Sequence, residues 1–246
     1  MLLAKWICAH LIGDFLLQSG TMVRHKQRLK ARSWMLYLHV AIHGLLVYGL
    51  AAQWYTWWPA AIVTVSHFFI DWWKLTRPDK PVYFIIDQLL HVLVLVLAWC
   101  CIDANAQNAL IAITALANYN TLWLMLMGYL LLIWPFSIGI GFITQRWRPD
   151  VDTRLAQQRL SLAEAGRWIG VCERILVYTF ILTQQFAGIG FLITAKSILR
   201  FNDTQKEGGR KEAEYILIGT LLSFAVAIIT GLIILKLINT SATAHA

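Results

Sequence analysis

The sequence predicts an all-α, polytopic integral membrane protein of about seven hydrophobic helices, on the strength of composition, run length and aromatic placement. Of 246 residues, 59% are hydrophobic and only 14% charged, against about 25% charged in soluble domains. The apolar residues fall in runs close to the roughly 20 residues that cross a ~30 Å hydrocarbon layer. Twelve Trp occur, many beside run ends (Trp54, Trp57, Trp58, Trp72, Trp73, Trp147, Trp168), as in interfacial aromatic belts.

Apolar runs place helices near 2–20, 33–53, 57–76, 81–103, 121–145, 168–195 and 214–238, with 106–118 a weaker short segment. His10, Gly13 and Asp14 interrupt the first run, and its basic cluster follows rather than precedes it, so it reads as a retained helix rather than a signal peptide. The basic stretch with Arg24, Lys26, Arg28, Lys30 and Arg32 is expected to be a cytoplasmic loop, which starts the N-terminus outside. Alternation then puts Lys74, Arg77 and Lys80, and the Arg-rich 146–167 segment, on the same side. Lys196, Arg200, Lys206, Arg210 and Lys211 break this pattern if 168–195 is one crossing. Either a re-entrant hairpin broken near Gln184–Gly188, or a crossing by 106–118, repairs it.

The domain reading has a front four-helix unit at 1–105, a connecting membrane helix region at 106–149, a polar interfacial segment at 150–167 and C-terminal membrane helices at 168–246. The charge of +8 lies in short loops and suits anionic lipid headgroups; no folded nucleic-acid module is present, and no nucleic acid is expected as a partner. Cys8, Cys100, Cys101 and Cys172 have no C-x-x-C spacing, which argues against a thiolate zinc site.

The front unit repeats internally. His10-x-x-x-Asp14 recurs as His67-x-x-x-Asp71, and each is followed in the next helix by a second pair at the same spacing, His39/His43 and Asp87/His91. This pattern marks 2–53 and 57–103 as duplicated hairpins. Counted inward from the basic ends, Asp14, His39, Asp71 and Asp87 form one layer and His10, His43, His67 and His91 a second, one helical turn deeper. Residues at i and i+4 share a helix face, so four helices can turn all eight inward, as helical bundles do to hold dimetal sites. An ionisable residue near the centre of a span costs roughly 2.5–3.5 kcal/mol, which makes eight at matched depth a functional signal. Oxygen and nitrogen donors without thiolate suit one or two divalent ions, Zn first, with Mn or Fe as alternatives.

Around this constellation, Gln18 and Lys74 lie near its cytoplasmic rim with Arg77 just beyond. Snorkelling to headgroups accounts for the two cations, and attraction of an anionic substrate group is the alternative. In the back, Glu173 and Arg174 are candidates for a local pair, and Lys196 and Arg200 share a face that could hold a phosphate or anchor at the interface. Gly188, Gly190, Gly219 and Ser223 allow close helix packing.

The runs HLIGDFLLQ (10–18), HFFIDWWK (67–74) and DQLLH (87–91), with GRWIGVCERIL (166–176), AKSILRF (195–201) and EYILIGTLLS (214–223), resemble the bacterial membrane proteins grouped as domain of unknown function 3307. That resemblance implies a multi-pass protein of the bacterial inner membrane and brings no activity with it. In arrangement alone, the repeated H-x-x-x-D pairs are similar to helical zinc phosphoesterases and to predicted membrane metal-dependent hydrolases. The Trp ligand at the N-terminus of the zinc enzymes has no counterpart, since Met1 starts the chain.

The expected function is a metal-dependent membrane hydrolase acting on a lipid or membrane-associated phosphoester or ester, with one of Asp14, Asp71 and Asp87 as general base. Its partners are the bilayer and an anionic lipid or phosphoester substrate. Polar residues in a membrane also build cation or proton pathways. The apolar runs after His43 and His91 argue instead for a closed pocket. A non-enzymatic sensor or scaffold is the third reading.

Overall fold

The computed structural model describes residues 2–51, 57–102, 121–144, 156–201 and 209–243; of 156–165, 199–201, 209–216 and 241–243 it describes the backbone alone. Every regular element among them is helical. These are α1 (Leu2–Leu11), a π-helical turn (Ile12–Leu16), α2 (Gly20–Leu29), a 3-10 turn (Lys30–Arg32), α3 (Trp34–Ala51), α4 (Trp58–Leu75) and α5 (Pro81–Ile102). Then come α6 (Thr121–Ile133), α7 (Pro135–Thr144), α8 (Ala156–Leu182), α9 (Phe186–Phe201) and α10 (Gly209–Thr243). Among the described residues, four stretches are long and apolar enough to cross a membrane: Trp34–Ala51, Pro81–Ile102, Thr121–Thr144 and Leu217–Thr240.

The chain divides into two compact units, Met1–Met127 with Leu237–Ala246, and Gly128–Lys236. In the first, α1 packs on α3 and α5, and α4 on α3 and α5, which closes a ring in the order α1, α3, α4, α5. Its polarity is inverted relative to a water-soluble bundle. His39, His43, His67 and Asp87 are at most 1% exposed, while Leu45, Val65, Phe69, Leu89 and Leu97 are more than half exposed. Ionisable groups inside and apolar ones outside is the arrangement lipid selects, because hydrocarbon solvates the latter and not the former.

Each ring helix carries an apolar residue one further turn beyond its His: Trp6, Val47, Val63 and Leu95. With Leu3, Ala9, Ala98 and Trp99 they form the buried hydrophobic core of the unit. The polar layers are therefore backed by an apolar plug.

Three local structures differ from the sequence expectation, and a fourth, the break in 168–195, falls where one of its two alternatives put it. The basic stretch 20–29 is helix α2, started by Ser19, whose side chain accepts a hydrogen bond from the Met22 N–H. It presents Met22 and Lys26 inward and leaves Arg24 and Arg28 exposed. The predicted 168–195 helix is broken: α8 ends at Leu182 and α9 begins at Phe186, with Gln184 at φ 58° in the turn. Residues 156–167, part of the segment expected at 150–167 as polar and interfacial, run straight into α8, since Ala, Leu, Gln and Glu favour helix and no Pro interrupts. Finally, Pro135 starts a new helix after Trp134, dividing the predicted 121–145 span into α6 and α7. The expected segment 106–118 lies outside the described residues.

Candidate metal centre

All eight His/Asp side chains meet inside the ring. The His rings form one cluster: His43 stacks on His67 with centroids 3.8 Å apart, His67 lies 4.1 Å from His91, and His10 lies 4.9 Å from His91 and 5.5 Å from His43. Asp14 enters from the next turn of α1. Its Oδ1 is 3.0 Å from His43 Nε2, 3.2 Å from His39 Nε2 and 3.5 Å from His67 Nε2. The π-helical turn positions it; a wider turn, closed by Leu17 N–H donating to Ile12 C=O, interrupts α1 where Asp14 projects. Such turns recur at functional sites. Gly13, on the same turn, lies so close under the His43 imidazole that a Cβ there would overlap the ring.

Among the described residues, three sets of donors each lie within 4.8 Å of one another: His10, Asp14, His43 and His67; His39, His67 and Asp71; and Asp14, Asp87 and His91. Their protein partners separate them. In the second set Lys26 Nζ donates to Asp71 Oδ2 at 2.7 Å, and Gln18 Nε2 lies 3.0 Å from His39 Nε2. In the third, Lys74 Nζ donates to Asp87 Oδ2 at 2.6 Å, and Gln88 Nε2 donates to Asp14 Oδ2 and Asp87 Oδ2.

Five donor atoms are buried with no hydrogen-bond partner: His10 Nε2, His43 Nε2, His91 Nε2, Asp14 Oδ1 and Asp87 Oδ1. The 3.0 Å approach of His43 Nε2 to Asp14 Oδ1 does not have hydrogen-bond geometry. Proximity without bonding is what lone pairs aimed at a common third atom produce. His91 gives the clearest instance. Its Nδ1 lies 2.8 Å from the Asp87 backbone carbonyl, which can only accept, so in the neutral ring Nδ1 carries the proton and Nε2 keeps its lone pair facing inward. Burying such a group without a partner costs about 1–3 kcal/mol.

Charge balance agrees. The three carboxylates Asp14, Asp71 and Asp87 face two ammonium groups, Lys26 and Lys74, leaving the carboxylate of the first donor set without a neutralising cation. The orphans are not all alike, however: Trp6 Nε1 and Trp99 Nε1 are also buried without partners, but they sit in the apolar plug and are donors, with no lone pair to offer a cation.

Sequence reasoning placed Lys74 at the rim as a headgroup contact; instead its ammonium turns inward to Asp87. Arg77 stays exposed beside the Trp73 ring. Lys26, Gln88 and Gly13 were missed. In the second unit Glu173 pairs with Lys196 at 2.6 Å rather than with Arg174, because adjacent residues on a helix do not face each other. That pairing occupies the Lys196 expected to hold a phosphate, and the Arg200 side chain lies outside the described residues. Arg174 is bound by the Leu132 carbonyl and the Ser223 and Ser137 hydroxyls.

No curated protein and no solved structure matches the chain. The family described as protein of unknown function (DUF3307) matches residues 2–120, a span that holds all eight His/Asp positions and stops short of the C-terminal blocks 166–176, 195–201 and 214–223. Over residues 2–120 the chain is similar to the DUF3307 family.

Proposed function

We propose that the ring holds a divalent transition metal, zinc first with manganese or iron as alternatives, and that the protein is a membrane-embedded hydrolase of a lipid or membrane-associated phosphoester or ester. The observation that carries this is the convergence of unpartnered His10, His43 and His91 nitrogens and the Asp14 oxygen in one buried cluster. His10, Asp14, His43 and His67 are the resident ligand set, being the set free of any lysine. A divalent ion there supplies a Lewis acid and acidifies water.

The chain's own groups do the rest. Lys74 and Gln88 hold Asp87 by Oδ2, leaving Oδ1 free and inward, which suits that oxygen for accepting a proton from an attacking water. The plug of Trp6, Val47, Val63 and Leu95 favours a blind pocket over a conducting path, which needs polar residues on both sides of the His layer. The duplication of hairpins 2–53 and 57–103 fits the ring order, in which α1 stands opposite α4 and α3 opposite α5.

Detergent-purified protein, stripped and then reconstituted with Zn, Mn or Fe, is expected to hold about one tightly bound equivalent. The double variant His43→Ala/His91→Ala is expected to hold none. Wild-type protein that takes up no metal overturns the reading. Metal uptake without release of headgroup or phosphate from phospholipid and phosphomonoester vesicles removes the hydrolase and leaves the metal centre.

A further inference from the structure

We infer that His39, His67 and Asp71 form a second, latent divalent-cation site, kept closed by the ammonium of Lys26; the inference rests on the metal reading above. The three donors lie within 4.8 Å of one another, as a shared ion requires. Lys26 Nζ sits 2.7 Å from Asp71 Oδ2, so a cation already stands against the carboxylate of that set. Lys26 is only 5% exposed as a residue, which rules out a casual surface pairing.

What makes Lys26 displaceable is its carrier. Lys74, the other lysine of the cluster, is carried by ring helix α4. Lys26 rides on α2, ten residues joined to α1 through the non-helical segment 17–19 and to α3 through a 3-10 turn. The residue after α2, Lys30, has φ 50°, so the helix is set off from its successor by a sharp change of backbone direction. Withdrawal of α2 takes the ammonium with it and leaves α1, α3, α4 and α5 in place. Asp71 would then be a buried, unpaired carboxylate beside two imidazoles, a costly arrangement that a divalent ion relieves. Ammonium and metal thus compete for one carboxylate. At low metal the centre carries one ion and the lysine; at high metal it carries two, His67, whose Nε2 can ligate only one ion, passing to the second while His10, Asp14 and His43 keep the first, with α2 released.

The test titrates Zn2+ into wild-type, Lys26→Met, Lys26→Arg and Lys26→Met/Asp71→Asn proteins by equilibrium dialysis with elemental analysis. The methionine variant is expected to bind about one equivalent more than wild type at the same free Zn2+, with the second step at least about tenfold tighter, because a competing cation has been removed. Lys26→Arg keeps the wild-type stoichiometry, and Asp71→Asn cancels the gain. A first equivalent retained in all four proteins with no difference in the second overturns the latent site and leaves the resident centre standing. Absence of even the first equivalent in wild type defeats the underlying reading instead. A second measurement avoids substitution: acylation of Lys26 in the wild-type chain by an amine-reactive reagent, read by mass spectrometry, is expected to rise when Zn2+ goes from one equivalent to saturation. Unchanged Lys26 reactivity across that range also overturns the proposal.

Discussion

The two compact units bury ionisable residues in opposite ways. In the second, Arg174 is 4% exposed, yet its guanidinium reaches the Leu132 carbonyl and two serine hydroxyls, and the neighbouring Glu173 closes on Lys196. In the first, five His and Asp donor atoms are buried without a hydrogen-bond partner. The guanidinium also has a visible structural task. Pro135 breaks the helix after Trp134, and Arg174 donates to a carbonyl just before the break. Burial alone therefore does not mark a site; buried lone pairs left over after every protein partner is counted do.

That contrast breaks most readily at Arg174. Arg174→Met is expected to lower stability by about 3–5 kcal/mol, the usual result of breaking a buried polar network, and to leave metal content unchanged. Loss of metal without loss of stability, by thermal unfolding and elemental analysis, would erase the distinction between the units.

The next test uses two glycines that each lie under a buried polar ring, Gly13 under His43 and Gly128 under Tyr178. Neither ring can retreat, since His43 is stacked on His67 and Tyr178 is wholly buried. Alanine at either position is expected to cost about 1–3 kcal/mol through overpacking. Only Gly13→Ala also shifts a donor nitrogen, so it alone should weaken metal binding, by about a hundredfold for a displaced ligand. Equal metal affinity in the two variants would count against His43 as a ligand.

The smallest expected effect is the most diagnostic. His10 Nε2 has no hydrogen bond to lose, and its nearest carboxylate oxygen, Asp14 Oδ2, is 3.7 Å away, so His10→Leu in metal-free protein should change stability by less than about 1 kcal/mol. In wild type, zinc at a hundred times its Kd should add about 2.7 kcal/mol of stability, and in the variant that increment should vanish. A large destabilisation of the metal-free variant would show that His10 is structural glue.

The eight His/Asp positions were readable because their information is periodic: four residues apart on a helix is one face, whatever the tertiary structure. Lys26 was not readable, because a basic stretch beside an apolar run has a sufficient explanation in topology, and only the bundle's geometry decides that one of its five cations turns inward. A trace existed in the sequence. Ser19 is a good N-cap, and Met22 and Lys26 stand four apart after it. The break at 183–185 left a fainter mark, two glutamines in an apolar run, while the π-helical turn at 12–16 left none beyond Gly13. Gln88 was missed because it sits next to Asp87 on the helix and reaches sideways to α1, a contact no spacing rule describes.

The apolar plug has one further consequence. On the proposed reading, Trp6, Val47, Val63 and Leu95 close one end of the ring, and whatever enters the donor cluster leaves by the side it came from. An elementary charge moved fully across a membrane gains or loses about 2.3 kcal/mol per 100 mV, and a dead-end well collects only a fraction of that. Turnover in such a well would be electrically almost silent: it neither draws on the ion gradients of the cell nor leaks them, and its protons return to the compartment that supplied them.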